Sequence, residues 1–151
     1  MPKVDAAALP EKSATGYPPP FAALVAGRRV KPLSASLSDF VVNLCTIAPG
    51  SGSSQRHWHS DEDEFVYVLS GEATLVEDDG ETLLRAGDAA VFPKGVANGH
   101  HLLNHGSADL VFLAIGPDRP DTDVVIYPDI GMRWSVASGY VVADPDTSDS
   151  A

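Results

Sequence analysis

Cysteine is almost absent. Cys45 is the only one, so no intrachain disulfide can form. It sits in Val41-Val42-Asn43-Leu44-Cys45-Thr46-Ile47, which reads as a strand, and the expected role is a small core hydrophobe rather than a nucleophile or redox centre. Basic charge is scarce as well: 10 Lys and Arg stand against 21 Asp and Glu, a formal net charge of −11. Arg28-Arg29 is the only adjacent basic pair. Nucleic acid, whose phosphates attract clustered cations, is excluded as a partner, and an anionic membrane surface is disfavoured on the same ground. No apolar run approaches the length of a membrane span, and no signal-peptide core follows Met1, so a cytoplasmic protein is expected. No sustained helical period is present. Gly-x-Ser-x-Gly is missing, and Gly50-x-Gly52 lacks the Lys and helix of a phosphate loop.

What is present is a succession of short apolar runs divided by turn residues. At 151 residues the chain is expected to form one domain large enough to bury a core. Candidate strands are Phe40 to Ile47, Phe65 to Leu69, Ala73 to Glu77, Thr82 to Arg85 and Ala89 to Phe92. Further ones are His100 to Leu103, Leu110 to Ile115 and Val124 to Tyr127. Asp79-Gly80 between two such runs signals a hairpin. Many short, evenly spaced strands imply an all-β sandwich or barrel. Residues 1–38, with the stiff extended Pro18-Pro19-Pro20, read as an N-terminal arm that wraps the body or a neighbouring subunit. Residues 39–143 read as the β-barrel domain and 144–151 as a flexible acidic tail.

Histidine and carboxylate are concentrated in two places. His57 and His59 are two apart, so a strand presents both on one face with Trp58 pointing away. Glu64 follows His59 by five, an odd offset, so the chain must turn within Ser60-Asp61-Glu62-Asp63. Glu64 then opens a strand whose face it shares with Val66 and Val68. In the second cluster His100, Leu102 and Asn104 share one face and His101 takes the other. Three neutral imidazoles and one carboxylate suit a divalent transition metal, Fe, Mn, Ni, Zn or Cu, better than Mg or Ca. Asp61 and Asp63 are expected as solvated turn charges, with Glu62 as a reserve ligand. Asn104 is expected as a turn or supporting hydrogen bonder, and Trp58 and Trp134 as core or interface aromatics.

The stretch Gly50-x6-His57-x-His59-x4-Glu64-x6-Gly71 resembles the first signature of the cupin superfamily. Gly87-x5-Pro93-x-Gly95, running through His100-x3-Asn104, looks like the second, and the pair resembles that of small single-domain bacterial cupins of the conserved-barrel type. The resemblance implies a double-stranded β-helix, or jelly-roll barrel, binding one divalent transition metal per chain through His57, His59, Glu64 and a histidine of the second motif. The pattern expects that histidine at position 98, where this chain has Asn98. His100 keeps the expected spacing to Asn104 and is taken as the third imidazole, with His101 and Asn98 as alternatives. The runs Ser54-Gln55-Arg56-His57-Trp58-His59, Gly99-His100-His101 and Tyr127-Pro128-Asp129 are similar to small bacterial cupins, some of them labelled sugar-phosphate isomerase-like by fold analogy. The expected function is a metal-dependent isomerase, lyase or dioxygenase acting on a small polar molecule such as a sugar, keto or hydroxy acid, or enediol. A non-catalytic small-molecule-binding or sensing barrel is the alternative. The arm and an apolar outer sheet face suggest a homodimer. No residue is assigned a catalytic role from the sequence.

Overall fold

The computed structural model describes residues 2–143, and the acidic tail expected at 144–151 lies outside them. Twelve strands form in chain order: β1 (Arg28–Pro32), β2 (Val41–Ile47), β3 (Trp58–His59), β4 (Glu64–Ser70), β5 (Glu72–Glu77) and β6 (Gly80–Arg85). They continue with β7 (Ala89–Phe92), β8 (His101–Leu103), β9 (Leu110–Gly116), β10 (Val125–Tyr127), β11 (Met132–Ser135) and β12 (Gly139–Val142). The eight expected strands all form, with ends displaced by no more than two residues. β1, β11 and β12 are additional, and β3 is the strand expected to carry His57 and His59, shortened to Trp58–His59. The hairpin turn is Asp78-Asp79, and Gly80 opens β6 with φ 137°.

Three antiparallel sheets result, ordered β1-β2-β9-β4-β7, β6-β5-β8 and β12-β11-β10-β3. They do not close into one hydrogen-bonded ring, and the architecture is an all-β jelly roll. Alternation along the strands builds the core. Cys45 and Ile47, Val66 and Val68, and Leu110 and Phe112 turn inward from the five-stranded sheet to meet Ala73, Leu75, Leu84 and Leu102 of the three-stranded one. A second apolar cluster joins Val125, Tyr127 and Met132 of the four-stranded sheet to Tyr17 and Val25. Trp134 packs against it, in the role expected of a core aromatic.

Residues 2–27 run along this body. Lys12 bridges Val30, and Tyr17 meets Tyr127 edge-on with ring centroids 5.6 Å apart. The triple proline is extended only at Pro18. Pro19 and Pro20 instead begin a helical turn, Pro19–Ala22, because proline's fixed φ and missing N–H suit the first helical positions.

Two glycines allow backbones to meet where a Cβ would collide. A Cβ on Gly71, whose φ is +79°, would stand 2.5 Å from the Asp109 carbonyl oxygen. At Gly116 it would stand 2.5 Å from the Asp63 carbonyl oxygen. The end of β9 therefore lies directly against the start of β4, where Glu64 sits.

Candidate metal centre

Three elements, β3, β4 and β8, bring four side chains together around one carboxylate. His57 and His100 lie just before β3 and β8 and join them through a reciprocal backbone pair, His57 N to His100 O at 3.1 Å and His100 N to His57 O at 2.9 Å. That bridge brings the two histidine clusters together although 43 positions separate them. β3 pairs with β10 and carries His59. Glu64 opens β4 after the turn, with Val66 and Val68 buried on its face and Tyr67 and Leu69 exposed on the other. His100, Leu102 and Asn104 are buried together, as their shared parity requires.

The imidazoles all point Nε2 at the Glu64 carboxylate. His57 Nε2 lies 3.3 Å and His59 Nε2 3.2 Å from Oε1, and His100 Nε2 is in close contact with Oε2. His57, His59 and Glu64 offer donor atoms all within 4.8 Å of one another. Each Nδ1 faces an acceptor on the far side of its ring. His57 Nδ1 donates to the Gln55 carbonyl at 2.9 Å, His100 Nδ1 to the Asn98 carbonyl at 3.0 Å, and His59 Nδ1 to Asp123 Oδ2 at 2.6 Å. An imidazole that donates from Nδ1 presents a lone pair at Nε2 when neutral. Three such lone pairs facing an anionic carboxylate repel it unless a cation lies between them, and that cation is a proton or a metal ion. Oriented imidazoles, each backed by an acceptor, are the arrangement that tunes metal ligands. The residues present therefore fit a divalent transition metal.

Electrostatics favour positive charge at this point. Burial disfavours charge on His59, but hydrogen bonds and Coulomb attraction from Glu64 and Asp123 carry its pKa up to about 9. Burial likewise opposes ionisation of Glu64, yet the surrounding His100, His57 and His59 hold its pKa well below the usual carboxylate range. The His100 ring also stacks on Phe92, centroids 3.6 Å apart and planes 4° from parallel, which fixes its orientation.

The alternatives for the second-motif histidine are placed elsewhere. His101 Nδ1 donates to the Ser54 carbonyl at 2.8 Å, and the Asn98 side chain donates to Glu77 at 2.9 Å and accepts from Asp78 N at 3.0 Å. Glu62, the expected reserve, lies on the Nδ1 side of His59, 3.7 Å away, and accepts from Arg119 N at 2.6 Å. Asp61 is partly exposed and Asp63 exposed, turn charges as expected that also hold partners. Asp61 pairs with Lys94 at 3.1 Å and Asp63 accepts from Lys94 N at 2.8 Å, so the acidic turn is tied to the loop after β7. Asn104 is a turn residue, donating to the Ile47 and Ala108 carbonyls at 2.8 and 2.9 Å.

Two neighbours escape sequence reasoning. Asp123 is 3% exposed and orients His59 from 64 positions away, with no local motif to mark it. Arg56 forks onto Asp129 at 2.6 and 2.8 Å, contacts Asp78, and donates to the Gly99 carbonyl at 2.9 Å. It thus ties the residue before His57 to the residue before His100.

Known proteins share this arrangement of strands. The cupin domain family model matches residues 43–116, from β2 through β9. A crystal structure from Silicibacter pomeroyi DSS-3, described as a sugar phosphate isomerase from a cupin superfamily, has a TM-score of 0.87 and 36% identity, covering 99% of this chain and 97% of that one. Oxalate decarboxylase OxdC of Bacillus subtilis is 37% identical over 86 residues, 54% of this chain but only 22% of the decarboxylase. Protein SchB of Streptomyces halstedii is 33% identical over 95 residues, 62% of this chain and 66% of SchB. With that family model on its central strands and a near-full-length structural relative at 36% identity, the chain belongs to the cupin superfamily.

Proposed function

We propose that this chain is a metal-dependent enzyme acting on a small polar molecule, with His57, His59, Glu64 and His100 holding one divalent transition ion per chain. The observation that carries this reading is the convergence of three Nδ1-anchored imidazoles on one carboxylate. Fe, Mn, Ni, Zn and Cu all suit that donor set. A bound divalent ion would supply a Lewis acid toward a carbonyl or hydroxyl oxygen of the substrate. The chain's own contribution is orientation: Asp123, Gln55 and Asn98 fix the three rings, and Phe92 shields one of them. Glu64, more exposed than the histidines and held ionised by them, is the carboxylate placed to accept a proton from a substrate. A cavity of about 230 Å³ beside His57, Glu64 and His100 has room for a small molecule.

Isomerisation is the first reaction to assay, because the Silicibacter relative is described as a sugar phosphate isomerase. Lyase and dioxygenase chemistry suit the same ligand set. Turnover of sugar phosphates, keto acids and hydroxy acids by metal-loaded protein, compared with His59→Ala, tests the proposal. Turnover lost in the variant is expected. Equal activity in both proteins would sink it, and tight binding without turnover would assign a binding or sensing barrel instead.

The proposed assembly is a homodimer. Val42, Ile115, Phe65 and Val91 form one cross-strand row on the outer face of the five-stranded sheet, and Leu44, Leu113 and Tyr67 form the next. Val91 is 66% exposed in the single chain. Such an apolar face is one that a second copy would cover. Among the described residues no helix is long and apolar enough to cross a membrane.

A further inference from the structure

Arg28 opens β1, where it pairs with Ile47 of β2, and Val30 pairs with Cys45. Residues directly opposite in an antiparallel ladder share a face. Ile47 and Cys45 are buried in the core, so Arg28 and Val30 face the interior. Arg29, the next residue, faces out and pairs with Asp109 at 3.0 Å and Glu11 at 3.6 Å. An arginine turned toward an apolar interior carries a desolvation cost that a carboxylate partner ordinarily offsets. Arg29, Arg56, Arg85 and Arg119 all have such a partner; among the described residues Arg28 and Arg133 have none, and Arg133 is exposed to solvent whereas Arg28 faces inward. A guanidinium carries about five N–H donors, and the hydrogen bond described for Arg28 is one, from Nη1 to the Ser53 carbonyl at 2.9 Å.

The remaining donors have somewhere to point. Arg28 lines the same cavity as His57, Glu64 and His100, and Asn43, facing inward opposite Pro32, lines it too. The chain as a whole bears −11, a field that repels anions. An inward, unpaired cation is therefore a local exception to the surface around it.

We infer that Arg28 is the anion anchor of this cavity. The site takes a small organic anion whose carboxylate or phosphate group pairs with the Arg28 guanidinium, while oxygen atoms at its other end face His57, Glu64 and His100. The metal-facing end of such a ligand rests on the reading of the site proposed above; the anion at Arg28 does not.

Titration of the chain with orthophosphate, with malonate and with neutral glycerol, followed by NMR, tests this in chelator-treated and Mn(II)-loaded protein. Wild type, Arg28→Gln, Arg28→Lys and Arg29→Gln are compared, with metal content and thermal melting recorded for each. At least one anion should bind metal-free wild type, glycerol should not, and Arg28→Gln should weaken the anion about tenfold or more. Arg28→Lys should restore part of the affinity, and Arg29→Gln, which makes the same charge change on the outer face, should match wild type. A preference for phosphate over malonate points to a phosphorylated substrate, and the reverse to a carboxylic acid. Undiminished binding by a folded Arg28→Gln, equal loss in Arg29→Gln, or no anion binding by wild type overturns the inference. Normal metal content in an Arg28→Gln chain that binds anions like wild type would remove the anchor and leave the metal reading standing. Arg28-dependent anion binding by a chain that takes up no metal would do the opposite.

Discussion

Asp123 and Cys45 are both buried, and their environments set opposite roles for them. Asp123 accepts from His59 Nδ1 with one carboxylate oxygen and from Asp61 N at 2.9 Å with the other, so it fixes the ring and the turn before Glu64 together. Loss of such a supporting group ordinarily costs a metal site about 10–100-fold in affinity. Asp123→Ala is expected to weaken Zn(II) or Mn(II) binding by about that factor, with Asp123→Asn in between. Competition titration against a chelating dye reads it, and unchanged affinity in Asp123→Ala would remove the carboxylate from the site's support. Cys45 is the inert case. Burial pushes its thiol up from 9.0 to about 11, against a weak opposing pull from Arg28. The unfolded thiol ionises first, so this contribution to stability is fully present below pH 9 and lost as pH rises towards 11. Its size is on the order of 2–3 kcal/mol. Cys45→Val, which cannot ionise, is expected to lose less stability than wild type between pH 9 and 11 in urea denaturation. Parallel losses would show that the thiol is not the titrating group.

At the level of strands, alternation and turn residues made most of the fold readable. The apolar runs became β2 and β4 to β10, and Glu64 with Val66 and Val68 fell on the inward face as parity required. The three missed strands have physical reasons. β11 breaks its apolar run with Arg133 and Ser135, and β12 opens on Gly139 and shows no alternation. β1 hides because its inward positions are Arg28 and Val30 rather than two hydrophobes, and it ends on Pro32, which an edge strand tolerates. The four ligand candidates were legible because the two motifs carry them. Asp123, Arg28 and the reach of Arg56 were not, because their partners lie 64, 25 and up to 73 positions away. The outer face of the five-stranded sheet supplies a prediction of its own. Wild type is expected to sediment as a dimer, and Val91→Lys with Leu113→Lys as a folded monomer. A monomeric wild type, or a double variant that stays dimeric, would exclude that face as the interface.

For the whole molecule, the jelly roll serves mainly to hold distant residues against one another. The His57–His100 bridge, the Arg56 fork, and the close approach of Gly116 to Asp63 each fix one side of the Glu64 carboxylate's surroundings. If the cation that this arrangement calls for is a metal, the ion also links the three segments that carry its ligands. A ligand present at about 100 times its dissociation constant adds about 2.7 kcal/mol to stability, so metal loading should raise the melting temperature of wild type and not of a ligand variant.

The most direct test is elemental analysis of the untagged protein, as purified and after anaerobic Fe(II) loading, beside His57→Ala and His100→Ala. The account predicts close to one divalent ion per chain in wild type and its loss in both variants, which would also establish His100 as the third imidazole. Retention of the ion by either folded variant, or no bound metal in wild type under both conditions, would contradict it.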